Sequence, residues 1–268
     1  MAATTVALPL LYSALARLTN FTSPLLTLLR NNWQPREPWG APCATRKFGK
    51  HLLFGADDGN KHICEPNITL RSSSPCTIVS VGSNGDATFE TSMREFSPWC
   101  QTDTWDGTLT GHRAGLKKRL PAWVNLIEHN FGPQTWTYYS EKGIDSVRLL
   151  KIDCEGCEFS SLLPWLENLC TEQILIEIHG CACGHCQHDL NRNATLRMIR
   201  TAGLLDALVV NYSVFHVEPN VRFSDGSCVE YGLRRRWPCA DGPRRPPVTQ
   251  VTKAWAKPVA SQRASSIA

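Results

Sequence analysis

The chain has 268 residues, of which 42% are hydrophobic, enough for one α/β domain with flanking segments or for two small domains. Its net charge of +4 is unevenly distributed, because residues 234–268 contain eight basic residues and one acid. The body of the chain is therefore slightly acidic, so nothing in its charge indicates nucleic-acid binding, and the basic tail is interpreted as disordered.

The N-terminal region predicts a targeting or anchoring segment over residues 1–35. It contains no acid before Glu37, and residues 7–16 form an apolar stretch. Arg17 and Asn20 interrupt that stretch, so we do not predict a membrane-spanning helix. Because no basic residue precedes the stretch, a secretory signal and an organelle transit peptide remain alternatives.

The chain contains twelve cysteines, an even and high number for its length. This number favours disulfides in an oxidising compartment, but zinc ligation or reduced thiols remain open. Four Asn-x-Ser/Thr sequons point the same way, at Asn20, Asn67, Asn193 and Asn211. We therefore predict the secretory pathway, with an organelle or the cytoplasm as the alternative.

From residue 76 onward, strand-like and helix-like patterns alternate along the chain. Apolar runs predict strands at residues 76–81, 101–105, 124–128, 148–152 and 173–178. The predicted helices cover residues 87–96, 158–169 and 190–202, with Gly203 ending the last one. Late strands are predicted at residues 208–212 and 229–233. This order predicts an α/β fold with a mostly parallel seven-stranded sheet and helices on both faces.

A glycine turn follows the first predicted strand. Gly82 and Gly85 lie between that strand and a helix, where the lack of a Cβ lets a ligand approach the backbone. An acid about twenty residues later can bind both hydroxyls of a ribose. Asp106 stands at that distance, and Asp103 is a competitor. The complete Gly-x-Gly-x-x-Gly pattern favoured by a dinucleotide is absent, so the turn indicates a nucleoside ligand without a pyrophosphate.

Carboxylates and a histidine stand at the ends of two further strands. Asp153 and Glu155 follow the fourth predicted strand, and Glu177 and His179 end the fifth. Neighbouring parallel strands would bring these ends into one cleft. A histidine or a carboxylate of raised pKa can remove a hydroxyl proton, so all four are candidate catalytic residues. Alternatively, Asp153 and Glu155 could hold a divalent cation.

Two Cys-x-x-Cys pairs have the spacing of zinc ligands. Cys154 and Cys157 follow Asp153, and Cys183 and Cys186 lie in a loop rich in cysteine and histidine. Together they could form a four-cysteine zinc site beside the cleft. Disulfides or free thiols are the preferred interpretation, so no metal ligand is predicted.

The stretch after the fourth predicted strand resembles the hallmark of a known family. Its pattern is Lys151-Ile152-Asp153-x-Glu155-Gly156-x-Glu158. It resembles the hallmark of FkbM-type S-adenosylmethionine-dependent methyltransferases and of the related methyltransferase-like proteins. The resemblance covers residues 46–236, is patchy over residues 111–143, and includes Lys61-x-x-Cys64 and Cys228-x-Glu230-Tyr231.

This resemblance implies a Rossmann-like methyltransferase fold and S-adenosyl-L-methionine as the cofactor. The positions that match the family's cofactor loop are Val81, Gly82, Ser83, Gly85, Asp86 and Glu90. Asp106 matches the position that reaches the ribose. The implied division is a lead-in segment over residues 36–75, a methyltransferase domain over residues 76–236 and a disordered basic tail over residues 237–268.

Taken with this resemblance, the patterns imply a methyltransferase that acts at oxygen on a small-molecule or glycan acceptor. No nucleic-acid partner and no clear transmembrane span are expected, a divalent cation or zinc is an unsupported option, and the oligomeric state is left open. One rival is a nucleotide-linked oxidoreductase, which the incomplete glycine pattern disfavours. The other is a non-catalytic lumenal binding module on a degenerate methyltransferase scaffold, which the presence of Gly82 and Gly85 disfavours.

Overall fold

The computed structural model describes residues 43–48, 61–70, 76–110, 114–179, 201, 203–220 and 228–239. Within these residues the strands are β1 Thr45–Phe48, β2 Lys61–Cys64, β3 Cys76–Val81, β4 Cys100–Trp105, β5 Asn125–Ile127, β6 Ser146–Ile152, β7 Cys170–His179, β8 Tyr212–Pro219 and β9 Cys228–Arg235. The helices are α1 Pro66–Thr69, α2 Thr88–Phe96, α3 Ala114–Lys117, α4 Trp136–Ser140 and α5 Glu158–Asn168, and residues 203–208 are also helical. The predicted N-terminal segment, nearly all of the tail and the loop with Cys183 and Cys186 lie outside the described residues.

Seven strands form one sheet in the order β5-β4-β3-β6-β7-β9-β8. β9 runs antiparallel to both of its neighbours, and the other strand pairs are parallel. The predicted mostly parallel seven-stranded sheet is therefore confirmed. The chain continues from β3 to β4 on one side and returns to β6 on the other side. Open α/β sheets bind ligands at such a reversal of strand order, beyond the carboxyl ends of the strands.

Apolar side chains bury both faces of the sheet. On one face, Leu150 and Ile152 of β6 belong to the larger core, together with Tyr139 of α4 and Trp165 of α5. On the other face, Leu149 packs in a second core with residues of α2 and the β1–β2 hairpin. This alternation follows from the two-residue period of a strand. Helices cover both faces as predicted, and none of those in the described residues is long and apolar enough to span a bilayer.

The helix before β8 extends further than the sequence predicts. Residues 203–208 are helical, so Gly203 does not end the helix, and the strand predicted at residues 208–212 begins only at Tyr212. The physical reason is a set of buried side chains at helical spacing that pack into the larger core, Leu204, Leu205 and Leu208. Their apolar pattern is the same whether it is assigned to a short strand or to a helix end.

The β1–β2 hairpin is fastened to the sheet. A disulfide joins Cys43 to Cys64 at the end of β2. The Cys64 N–H donates to the side-chain oxygen of Gln173 on β7 at 3.0 Å, and the Gln173 amide nitrogen donates to the Cys64 carbonyl oxygen at 2.7 Å. Arg234 of β9 forms an ion pair with Glu65 at 2.6 Å. These contacts hold β2 in a fixed position against β7 and β9.

Disulfides account for most of the cysteines. Four disulfides lie within the described residues: Cys43–Cys64, Cys76–Cys100, Cys154–Cys157 and Cys170–Cys239. Cys228 is disulfide-bonded as well. A zinc site that includes Cys154 and Cys157 is therefore wrong, because zinc requires thiolates and these sulfurs are bonded to each other.

Candidate active site

The glycine turn lies where β3, β4 and β6 end together. Gly82 has φ +77° and Gly85 has φ +76°, in the left-handed region that favours glycine. The Gly82 N–H donates to the carbonyl oxygen of Trp105 at 2.9 Å. A Cβ on Gly82 would stand 1.7 Å from the carbonyl oxygen of Asp153. The turn is therefore packed directly against the first residue after β6.

Asp106 holds this turn in place. One carboxylate oxygen accepts hydrogen bonds from the Ser83 N–H at 3.0 Å, the Ser83 hydroxyl at 2.9 Å and the Asn84 N–H at 2.8 Å. The other accepts from the N–H and hydroxyl of Thr108. Burial by itself raises the pKa of Asp106, but the hydrogen bonds from Thr108 and Ser83 outweigh it and lower the pKa. Asp106 thus lies beside the turn, as the sequence indicates, and its role as a ribose ligand stays a prediction.

The competing acid, Asp103, lies elsewhere. It is buried on β4 and accepts hydrogen bonds from the side chains of Gln101 at 2.6 Å and Asn125 at 2.7 Å. Its partners lie on β4, β5 and α4 rather than in the glycine turn, which makes it the weaker candidate for the ribose.

The remaining predicted cofactor residues occupy three kinds of position. Val81 is buried in the larger core, and its carbonyl oxygen accepts the Asp153 N–H at 3.0 Å. Asp86 is exposed and accepts the Thr88 N–H at 2.8 Å at the start of α2. Glu90 in α2 is only 1% exposed, and neither carboxylate oxygen has a hydrogen-bond partner among the described residues.

Glu90 stands in the first turn of α2, the helix that follows the glycine turn, and its unpartnered carboxylate is a candidate contact for a polar ligand. A buried carboxylate without a donor is costly, and a ligand that carries hydroxyl or amino groups would remove this cost. S-adenosyl-L-methionine carries both kinds of group. The residues that could hold it are Gly82, Ser83 and Gly85 of the turn, together with Glu90.

The four predicted catalytic residues meet beyond the ends of β6 and β7. The Nε2 atom of His179 lies 3.6 Å from an Asp153 oxygen and 3.6 Å from a Glu155 oxygen. An Asp153 oxygen also lies within 4.8 Å of a Glu177 oxygen. The side chain of Glu155 is half exposed, whereas those of Glu177 and His179 are buried. The structure therefore brings these residues into one group, as the sequence predicts.

Glu158 orients His179, a function that the sequence did not indicate. Its carboxylate is fully buried and accepts the His179 backbone N–H at 2.9 Å. The Nδ1 atom of His179 lies 3.2 Å from the same oxygen. Burial lowers the pKa of His179, but the hydrogen bond and the charge of Glu158, with Asp153 and Glu177, raise it to about 10. A pKa of about 10 favours the imidazolium form of His179 at neutral pH, in which Nδ1 donates to Glu158.

Asp153 and Glu177 have pKa values shifted in opposite directions. Burial raises the pKa of Asp153, but the positive charges of Lys61 and other neighbours outweigh it and lower the pKa. For Glu177, burial together with the charges of Asp153 and Glu230 raises the pKa to about 8. Pairs of titratable groups whose pKa values are separated in this way are typical of acid–base sites. Glu177 is thus the candidate base with a suitable pKa.

The loop between β6 and α5 has an unusual backbone. Glu155 has φ +58° and Gly156 has φ +115°. The Gly156 N–H donates to the buried Glu158 carboxylate at 2.9 Å, and the Cys154–Cys157 disulfide closes the loop. A non-glycine residue in the left-handed region is strained, and such strain is concentrated at functional sites.

Two lysines and a glutamate complete the site and were not predicted as site residues. Lys61 of β2 lies 3.6 Å from Asp153 and forms an ion pair with Glu230 of β9. Lys151 donates to the carbonyl oxygen of Gly82. Charged side chains flanked by apolar residues in a strand were the available signal for Lys151 and Glu230.

Comparison with known proteins identifies the family to which the chain belongs. The sequence matches the family described as a methyltransferase domain over residues 22–120 and 128–234. No curated protein matches the sequence.

Solved structures that resemble this one have low sequence identity to it. A putative rRNA methylase from Clostridium thermocellum has 14% identity and a TM-score of 0.40, covering 60% of this chain and 86% of that chain. A fibrillarin pre-rRNA processing protein from Methanococcus jannaschii has 10% identity and a TM-score of 0.41, covering 71% and 88%. The N-methyltransferase NodS from Bradyrhizobium japonicum, in complex with S-adenosyl-L-homocysteine, has 11% identity and a TM-score of 0.37, covering 64% and 83%.

Proposed function

Because this chain belongs to the family of methyltransferase domains and is an S-adenosylmethionine-dependent methyltransferase, we propose that it methylates an oxygen of a small-molecule or glycan acceptor. Within that family we assign it to the FkbM-like group, on the basis of residues 151–158. The division into a lead-in over residues 36–75 and a methyltransferase domain over residues 76–236 is part of this proposal.

One observation carries the proposal. The backbone of Gly82, in the turn suited to the cofactor, is packed against Asp153, the first of the grouped acid–base residues. A methyl donor on the turn and an acceptor hydroxyl at Asp153 and Glu177 would therefore be neighbours. Alignment of nucleophile and methyl group is the main requirement of this displacement.

The acid–base residues divide the work on the acceptor. Bound S-adenosylmethionine would supply an electrophilic methyl group on a sulfonium. Glu177, with a pKa of about 8, can accept the hydroxyl proton of the acceptor in mildly alkaline solution. Asp153, which is ionised, can accept a hydrogen bond from a second hydroxyl of a diol or sugar. His179 is protonated, so it serves as a donor and not as the base.

Binding of the cofactor tests the first half of the proposal. We expect calorimetry of S-adenosylmethionine with the purified protein to give saturable binding. Glu90→Gln and Asp106→Ala should weaken that binding, the latter by about 1–3 kcal/mol because a charged hydrogen-bond acceptor is lost. Glu95→Gln, at an exposed residue near the other end of the helix that carries Glu90, is the control. An affinity for S-adenosylmethionine that is unchanged in both site variants would show that the cofactor does not bind at this turn.

Transfer to an acceptor tests the second half. Glycans and small alcohols would be incubated with S-adenosylmethionine labelled at the methyl group, and labelled ethers would identify the acceptor class. Label incorporated only into nitrogen-containing acceptors would contradict transfer to oxygen.

We also propose that the protein passes through the secretory pathway. Its support is the disulfide content of the described residues, which is typical of an oxidising compartment. Among the sequons, Asn67 is exposed, whereas Asn211 is 5% exposed. We expect treatment with an N-glycosidase to lower the mass of the protein produced in secreting cells. Asn67→Gln should reduce this mass change, whereas Asn211→Gln should leave it as in wild type. A wild-type protein whose mass the N-glycosidase does not change would contradict the proposal.

A further inference from the structure

Three carboxylates of the site have the spacing of metal ligands. Oxygens of Asp153, Glu177 and Glu230 all lie within 4.8 Å of one another. They come from the loop after β6, from β7 and from β9, whose register places Glu177 directly opposite Glu230. Three converging carboxylates are a common ligand set for Mg²⁺, Mn²⁺ or Ca²⁺. We call these three residues the acid triad.

A side chain of this chain already contacts the triad. Lys61 has a side chain that is 2% exposed, and its ammonium nitrogen forms an ion pair with Glu230 and lies 3.6 Å from an Asp153 oxygen. Burial lowers the pKa of Lys61, but the charges of Glu230, Asp153 and Glu177 outweigh it and raise the pKa. The ammonium group is therefore charged throughout the physiological pH range.

The position of Lys61 is fixed by its strand. β2 is held at its other end by the Cys43–Cys64 disulfide and by the paired hydrogen bonds between Cys64 and Gln173. A buried lysine normally loses side-chain entropy and hydration, and only close opposite charges compensate for these losses. The carboxylates of Glu230 and Asp153 provide these opposite charges, so the Lys61 ammonium group is a structural part of the site.

The second oxygen of Asp153 faces another cation. One Asp153 oxygen is directed to Lys61, and the other lies 3.6 Å from Nε2 of His179. Glu155, the alternative metal ligand considered from the sequence, also lies 3.6 Å from His179 and is half exposed. Both oxygens of Asp153 thus have a positive partner from the protein itself.

We propose that the Lys61 ammonium group is the resident cation of the acid triad, in the place that a divalent metal ion would otherwise take. It holds Asp153, Glu177 and Glu230 together and leaves Asp153 oriented toward the acceptor, so Lys61 is a positioning residue. The orientation of an acceptor rests on the function proposed above, whereas the occupation of the triad by Lys61 does not.

Binding of Mn²⁺, followed by electron paramagnetic resonance, tests the occupation without cofactor or acceptor. Wild type and Lys61→Arg keep a cation in the triad and should not bind Mn²⁺ there. Lys61→Ala should create a site there, so that its apparent affinity for Mn²⁺ exceeds the weak non-specific affinity of wild type by about tenfold or more. The double variant Lys61→Ala with Glu230→Gln should lose this gain. Lys117→Ala, which removes a lysine from the exposed pair with Glu128, is the matched control and should gain no site.

Each result decides the proposal. A folded Lys61→Ala protein that gains no Mn²⁺ affinity overturns it, as does wild-type binding that Glu230→Gln abolishes. If Lys61→Ala does not fold, wild type and Lys61→Arg still test the proposal, because neither should bind Mn²⁺ in a way that depends on Glu230. Once an acceptor is known, chelators should leave wild-type turnover unchanged, while Mn²⁺ should restore turnover to Lys61→Ala, which a purely structural loss would not allow. Failure to find methyl transfer would leave the Mn²⁺ results interpretable.

Discussion

At the scale of single residues, Asp153 is the centre of the site. Its backbone contacts Gly82, and its two carboxylate oxygens face Lys61 and His179. It is therefore the residue through which the cofactor turn, the acid triad and the protonated histidine are connected. Its substitution should separate chemistry from cofactor binding.

We expect Asp153→Asn to fold and to lose turnover by on the order of 10²-fold or more, because the size is kept and the charge is removed. The affinity for S-adenosylmethionine should change much less, since the cofactor turn remains. Steady-state kinetics and calorimetry would measure the two quantities. Turnover equal to wild type would show that the Asp153 charge does not orient the acceptor, and it would leave Glu155 or His179 as the candidate for that role.

Gly82→Ala should be among the most damaging substitutions in the described residues. The residue needs a positive φ, and the added Cβ would stand 1.7 Å from the Asp153 carbonyl oxygen. We expect a loss of several kcal/mol in the free energy of unfolding, measured with urea, or failure to fold. Gly115→Ala is the control, because a Cβ added at Gly115 would have no neighbouring atom within 4 Å. A stability change in Gly82→Ala as small as in this control would contradict the close contact.

At the scale of elements, the loop between β6 and α5 carries much of the site. It holds Asp153, Glu155 and the buried Glu158 around a short disulfide ring from Cys154 to Cys157. The long-range disulfide Cys170–Cys239 begins at the opposite, amino-terminal end of β7. The two disulfides should therefore differ in what they support.

Removing each disulfide by paired serine substitutions would show this difference. From loop length, loss of Cys154–Cys157 should cost about 2 kcal/mol of unfolding free energy and loss of Cys170–Cys239 about 4 kcal/mol. Only the serine substitutions at Cys154 and Cys157 should reduce turnover strongly, because only this disulfide constrains the loop that carries Asp153 and Glu155. Urea denaturation and steady-state kinetics measure both effects, and equal turnover in the two variants would argue against this role of the short ring.

At the scale of the whole molecule, the buried charges couple stability to pH. The pKa of His179 is about 10 in the folded protein against an ordinary value of 6.5, so its contribution is complete below pH 6.5 and lost as pH rises through 10. The pKa of Glu177 is about 8 against 4.5, so its effect on stability also declines between pH 4.5 and 8. Both groups therefore make the protein less stable in alkaline solution.

We expect the free energy of unfolding to fall between pH 7 and pH 10, with each unit of raised pKa corresponding to about 1.4 kcal/mol at most. His179→Gln should flatten this decline. His129→Gln, at an exposed histidine, should leave it unchanged. Urea denaturation at a series of pH values would measure it, and a decline that persists in His179→Gln would assign it to other groups.

Local sequence patterns were sufficient for the order of elements and for the chemistry next to each strand. β3 matched its prediction, and β4, β5, β6, β7 and β9 were found within one to three residues, because the apolar period of a buried strand is a local property. The glycine turn and the acids at the strand ends were also readable, since each depends on residues next to a strand end. The late helix was misjudged because its leucine pattern does not distinguish a short strand from a helix end.

Properties that depend on distant neighbours emerged only from the folded arrangement. Lys61 and Glu230 meet across 169 positions of the chain, and no local pattern predicts that contact. The disulfide between Cys154 and Cys157 excludes the zinc site that the same spacing allowed. His179 was a candidate base in the sequence, but in the folded chain Glu158, Asp153 and Glu177 surround it and raise its pKa to about 10, which favours a hydrogen-bond donor at neutral pH. Burial and the summed field of nearby charges set these properties, and both exist only once the chain is folded.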